Sequence, residues 1–524
     1  MHTFVTGSTG SGKSNTIYKI LEQLRANHRI PFMVIEPAKG EYKDIFGQYP
    51  DVSVYGTNPQ KTALLKLNPF RFPKDIHVLE HLDRLVEIFN ACWPMYAAMP
   101  AILKEAIERA YVEAGWDLIT SQNQKGAQYP NFSDLFEQIR QVISESQYSA
   151  DGKSDYSGAL LTRVHSLTNG LNKLIFCNET DITDTELFDE NVIIDLSRIG
   201  SIETKALIMG LLVMKLYEYR MALGKSNSPL SHLTVLEEAH NLLKRTSTSQ
   251  ISESANLLGK SVELLANSIA EMRTYGEGFL VADQSPNLLD MSVIRNTNTK
   301  IILRLPDKED DKLVGYAAGL TDDQIDELAK LKKGVAAVYQ NDWVEPILVQ
   351  INKCKTVPKP YAFTPATNQL TKREVKEELL SFLLQGRIKT RLRFSPEKIK
   401  SGLHLLMLST PLIEFIKEQL FEYEQTNKLT LWLPHNFELL SRRITDILGV
   451  RDRVSDCMLH ASTDSELTHM LENIIWQSVP NASREQECML MQCLVKDWST
   501  QPEEENLRRR VWYKWAHQLL KGGR

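Results

Sequence analysis

The chain has 524 residues, 61 basic and 66 acidic side chains and a net charge of −5, enough length for about three domains with a large core. No run approaches the ~18–20 uninterrupted apolar residues of a membrane span and no signal-peptide pattern opens the chain, so a cytoplasmic protein without a membrane partner is expected. Its six cysteines contain no CxxC pair, which argues against a disulfide framework or a zinc ribbon.

The first predicted strand, Thr3–Thr6, runs into Gly7-Ser8-Thr9-Gly10-Ser11-Gly12-Lys13-Ser14, a match to the phosphate-loop pattern GxxxxGK[ST]. Glycines let successive backbone N–H groups turn toward a β-phosphate, the following helix adds its positive end, Lys13 neutralises the β/γ-phosphates and Ser14 can ligate Mg²⁺. The expected ATP-binding set is therefore Gly7 through Asn15, with Mg²⁺ as the companion ion.

Further apolar, β-rich runs follow at 31–36, 192–196, 233–236, 279–282, 300–305, 334–339 and 346–351, with helical segments between them. They are almost continuously apolar, as in a mostly parallel sheet covered by helices on both faces. Residues of about 75–191 interrupt the rhythm with a helical pattern, so a helical insertion is predicted, starting at Asp75 as N-cap. Inside it, His77-Val78-Leu79-Glu80-His81 fits the HxxEH zinc pattern, but no further acidic ligand is specified, and the reading is of ordinary histidines on a helix surface. Ser144 to Ser157 is polar and turn-rich and reads as a mobile loop.

The run Leu233-Thr234-Val235-Leu236 delivers two adjacent carboxylates. A phosphate loop needs such a site: Glu237 would hold the Mg²⁺ hydration shell, and Glu238 would polarise the attacking water. Gln284, ending the run Phe279–Ala282 and Asp283, fits a γ-phosphate sensor. Arg273 is a candidate arginine finger, with Arg295 and Arg304 as rivals.

The sheet pattern ends near Ile351. Residues 351–370 read as a linker stiffened by Pro358 and Pro360, and 371–524 as a mainly α-helical C-terminal domain of open role. That part is mildly basic, with 26 Lys/Arg against 21 Asp/Glu from residue 351 on, too small an excess to establish nucleic-acid binding. The Arg508-Arg509-Arg510 run follows three glutamates and reads as local helical pairing; Trp512 and Trp515 read as anchors of the terminal helix.

Taken in order, His2–Thr16, Gly40-Glu41-Tyr42 after Glu36, Val192–Ser197, Leu236-Glu237-Glu238-Ala239-His240, Arg273-Thr274-Tyr275-Gly276, Gln284 and Asn298-Thr299 resemble the HerA/FtsK motor ATPases, specifically the HerA-like branch, over residues 1 to about 350. The resemblance implies a RecA-like core with an additional strand between the phosphate-loop strand and the acidic strand. It also implies hexameric rings with ATP at subunit interfaces, and translocation on double-stranded DNA. It carries Lys13, Ser14, Glu237, Glu238 and Gln284 onto motif positions, and Arg273 onto the finger less closely. Three departures stand out: Glu237 where related motors often have Asp, Ser285 where they often have Arg, and a start six residues before the phosphate loop, where HerA-like proteins usually carry a β-barrel. The last is expected of an N-terminally shortened fragment, of a barrel on a separate polypeptide, or of a branch without one.

Three functions follow as expectations: a DNA-translocating ATPase, a motor for protein or nucleoprotein transport, and a regulatory ATPase in a defence complex whose nucleotide state gates a nuclease or other effector.

Overall fold

The computed structural model describes residues 2–28, 30–123, 129–178, 181–224, 226–245, 253–363, 372–406, 408–479, 482–501, 511–512 and 514–515. The Arg508-Arg509-Arg510 run lies outside them. The chain divides into two compact units, Met1–Pro365 and Ala366–Arg524.

The first unit is built on ten strands: β1 (His2–Thr6), β2 (Phe32–Glu36), β3 (Val52–Gly56), β4 (Ala63–Leu64), β7 (Asn191–Asp195), β8 (His232–Glu237), β9 (Glu277–Asp283), β10 (Thr299–Ile302), β11 (Val335–Gln340) and β12 (Ile347–Gln350); β5 (Trp116–Asp117) and β6 (Gln122–Asn123) form a separate small ribbon. Their order in the sheet is β12-β11-β10-β1-β9-β8-β2-β7-β3-β4. Strands from β4 to β10 are parallel, whereas β10–β11 and β11–β12 pair antiparallel. The expected additional strand is β9, lying between phosphate-loop strand β1 and acidic strand β8.

Residues of β2, β8 and β9 are buried throughout, the mark of a sheet covered on both faces. The antiparallel edge departs from that rule: Ile347 and Leu348 of β12 are exposed, because an edge strand has a neighbour on one side only. Two strands of the main sheet lie outside the predicted runs. β3 alternates buried and half-buried residues, and β4 has two residues, too short to leave a periodic signal.

The interruption between β4 and β7 is largely helical, with the β5–β6 ribbon as a departure. Its first helix, α3 (Val78–Cys92), starts two residues later than the Asp75 cap implies. His77 is the cap instead, its Nδ1 accepting the Leu79 N–H at 3.2 Å. The Ser144–Ser157 loop expectation is also corrected. One helix runs on to Glu145, and Ala150–Tyr156 is helical, because Ser149 caps it by accepting the Gly152 N–H and Asp151 sits in the first turn.

His81 is the third correction: it is fully buried, not on the helix surface. Leu82, Leu85 and Phe89 mark the buried face of α3, and His81, one turn before Leu85, shares it. There its Nδ1 lies 2.9 Å from Oε2 of buried Glu218, and its ring stacks on Phe72. His77 meets the Ile119 carbonyl and Glu80 pairs with Arg84, so the HxxEH side chains diverge.

The described residues of the second unit are helical, from Lys372–Leu384 to Arg484–Ser499, around a core that includes Leu379, Phe382, Ile416, Ile444, Leu471 and Leu494. Trp515 is buried in this core with its indole N–H donating to Thr468 Oγ1, and Lys496 sits over the Trp512 ring. All six cysteines are free thiols, and among the described residues no helix is long and apolar enough to cross a membrane.

Candidate functional site

Parallel pairing puts the carboxyl ends of β1, β2, β7, β8 and β9 along one edge of the sheet, which is where α/β proteins collect ligands. The loop after β1 leads into helix α1 (Lys13–Gln23) through Gly12, whose φ of 112° is open to glycine and strained for other residues. A Cβ there would also stand 3.2 Å from the backbone of Gly334, whose N–H donates to the Ser11 carbonyl. No side chain caps α1, so its first amides keep donors to spare. That is the arrangement of an anion cradle.

Lys13 is buried, and its ammonium lies 3.2 Å from Glu238 Oε1 and 3.6 Å from Glu237 Oε2. Glu237 is the last residue of β8, and its Oε1 accepts the Tyr42 hydroxyl at 2.5 Å. Ser14 lines one small cavity, about 10 Å³, with Glu36, Glu41, Tyr42, Glu237 and Glu238, room of the order of a single water. Buried Ser11 Oγ and Thr6 Oγ1 have no hydrogen-bond partner. An uncapped helix start, a buried ammonium between two carboxylates and hydroxyls with unmet capacity fit a triphosphate with a divalent ion. Ser14 and Glu237 would be the residues nearest the ion.

Gln284 is drawn into the same cluster: its amide N–H donates to Glu238 Oε1 at 2.6 Å and its carbonyl accepts the Thr9 hydroxyl at 2.8 Å. Capping of the following turn is done by Asp283, which accepts the Ser285 N–H. Glu238 itself has φ 45° and ψ 52°, a left-handed backbone that costs a non-glycine residue about 1–2 kcal/mol. Glu36 is the electrostatic outlier. Burial, with Asp195 and Glu237 nearby, pushes its carboxyl from 4.5 up to about 8 against the pull of the Glu41 and Tyr42 N–H groups it accepts.

The family described as "Helicase HerA, central domain" matches residues 1–216. Residues 1–216 carry a HerA-like central domain. The DNA double-strand break repair helicase HerA of Sulfolobus acidocaldarius is 23% identical over 382 residues, covering 72% of this chain and 70% of that protein. That of Saccharolobus solfataricus is 24% identical over 359 residues, 67% of this chain and 64% of that protein, slightly under two thirds of its length. Among solved structures, VirB4 of Thermoanaerobacter pseudethanolicus shares the fold, with a TM-score of 0.51 at 16% identity over 68% of this chain and 90% of that one. What this chain shares with VirB4 is the fold, a mostly parallel sheet covered by helices.

The finger candidates separate by sheet edge. Arg273 precedes β9 and Arg295 precedes β10, which puts both near the amino ends of the strands. The seven residues of β9 then span about 20 Å to the carboxyl edge, so the structure does not bring Arg273 to Lys13 within one chain. Arg304 follows β10 at the carboxyl edge, and its carbonyl accepts both the N–H and the hydroxyl of Ser8.

Tyr42, Glu36, His240 and Asp283 were given no role from sequence. Tyr42 and His240 stand within family-like strings, and Asp283 adjoins Gln284, but nothing in those strings names a partner.

Proposed function

We propose that the chain is an ATP-hydrolysing motor that translocates on or remodels double-stranded DNA, working as a homo-hexameric ring. The observation that supports this reading most is the convergence of Lys13, Ser14, Glu237, Glu238 and Gln284 at one sheet edge. The DNA-repair helicase names of the relatives support the substrate class.

In this reading the amides from Gly10 to Ser14 hold the phosphates, and Lys13 exchanges its carboxylate partners for β/γ-phosphate oxygens. Ser14 and Glu237 would hold Mg²⁺, which would supply positive charge to neutralise the phosphate oxygens. Release from Lys13 leaves Glu238 able to accept the proton of the attacking water as the γ-phosphorus–oxygen bond to ADP breaks. Gln284, tied to Thr9 and Glu238, links that carboxylate to the loop. The implied partners are duplex DNA, further copies of the chain and a nuclease or other effector.

ATP turnover with and without duplex DNA, together with mass in solution, tests the reading. Strong stimulation by duplex DNA and a six-fold assembly are expected. Turnover indifferent to DNA would favour polypeptide transport, and stimulation only by a protein partner would favour a regulatory ATPase.

A further inference from the structure

Glu238 holds its left-handed backbone without the freedom of a glycine, so neighbouring contacts must fix it. They come from the next strand. Asp283, fully buried at the end of β9, uses one oxygen to accept the Ser285 N–H at 3.0 Å. The other accepts two donors from a single residue of the β8 turn, the His240 backbone N–H and the His240 ring Nδ1, both at 2.9 Å. His240 thus closes the turn that begins at Glu238, while Asp283 fixes the turn that carries Gln284.

From that closed turn, His240 Nδ1 stands 3.7 Å from Glu238 Oε2. The distance is too long for a hydrogen bond, and the Nδ1 proton is already directed to Asp283. Its effect on Glu238 is therefore electrostatic and positional. Among the described residues, Lys13 and Gln284 meet that carboxylate at Oε1, and His240 stands beside Oε2. The hydrogen bond to Asp283 raises the His240 pKa above its ordinary 6.5, favouring a cationic ring beside Glu238. Glu238, His240 and Asp283 are also the one group among the described residues whose His, Cys, Asp and Glu ligand atoms gather within 4.8 Å. The proton shared by His240 and Asp283 accounts for that closeness without an ion.

We propose that His240 and Asp283 form a positioning pair for Glu238, holding its turn and carboxylate in the orientation that serves proton acceptance from water. The inference rests on the hydrolysis reading above and adds two residues to it. Among the described residues neither side chain hydrogen-bonds or ion-pairs with the cradle of Gly7 to Ser14, so the pair should govern turnover without governing nucleotide affinity.

Steady-state ATP turnover and equilibrium binding of a fluorescent ATP analogue are to be measured on the full chain and on His240→Ala, His240→Asn and Asp283→Asn. His240→Ala should lower kcat by about 100-fold, the scale of a misplaced catalytic group, with nucleotide Kd within about two-fold. His240→Asn, whose amide can still donate toward Asp283, should recover at least about ten-fold of that loss. Retained analogue binding shows that the site is folded, and His240→Asn provides the reading should the alanine variant not fold. A kcat within two-fold of the parent in His240→Ala, or equal loss of binding and turnover in both histidine variants, would overturn the positioning role alone. A parent chain that binds the analogue and turns over no ATP, with or without duplex DNA, would overturn the hydrolysis reading itself.

Discussion

Lys13 and Glu238, 225 positions apart in sequence, meet at 3.2 Å across the carboxyl edge of the sheet. The ammonium of the phosphate loop neutralises the carboxylates that would otherwise crowd one another at the end of β8. Removing either partner therefore has opposite consequences for binding and for chemistry.

Lys13→Ala should abolish measurable ATP binding, because a buried cation is lost from the cradle and Glu237 and Glu238 are left facing the phosphates. Glu238→Gln should bind ATP and slow turnover by about 10²–10⁴, the usual contribution of a general base. Equilibrium nucleotide binding beside single-turnover hydrolysis checks the pair, and equal binding loss in both would contradict the division of roles.

Gly12→Ala should weaken nucleotide binding and destabilise the fold by about 1–2 kcal/mol through its left-handed φ, with added crowding against Gly334. Thermal melting with and without ATP reads both effects. Gly158→Ala, where a Cβ meets open space, serves as the control.

Arg304→Ala should depress turnover more than Arg273→Ala within one protomer, since Arg304 stands at the carboxyl edge beside the phosphate loop while Arg273 lies at the far edge; the carbonyl that accepts from Ser8 is kept, so the loss reads the guanidinium. A finger supplied across subunits is tested by mixing Arg273→Ala with Glu238→Gln protomers. Partial rescue of hydrolysis would restore Arg273 as the finger, and its absence moves that role to Arg304 or Arg295.

Glu36 makes folding stability depend on pH. Its carboxyl is raised from 4.5 in the unfolded chain to about 8 in the fold, so the folded state binds the extra proton. The stabilisation is complete below 4.5 and is lost as pH rises through about 8. Glu36→Gln should flatten the fall in melting temperature across that window. An unchanged slope would show that Glu36 is ionised in the fold.

His81→Ala should cost about 3 kcal/mol, because it breaks a buried pair and leaves buried Glu218 with Arg84 as its ion-pair partner and Lys215 as a further cation nearby. A zinc chelator should leave the melting temperature unchanged. A chelator-induced fall would reinstate the HxxEH residues as a metal site.

Local sequence determined what local physics can encode. Glycine spacing, a lysine and a serine after a short apolar strand identify a phosphate loop, since each needs only its chain neighbours to do its work. Continuously apolar runs likewise announce strands buried on both faces. That β9 runs parallel to β1 and so keeps Arg273 away from Lys13, why His81 is on the core side of its helix, and which partner closes the Glu238 turn depended on strand order and helix packing. Those contacts join residues tens to hundreds of positions apart, and no periodicity along the chain records them. The phosphate-loop pattern and the acidic pair could be read along the chain, whereas the parallel alignment of β1, β9 and β8 decided how Lys13, Gln284, Asp283 and Glu238 meet.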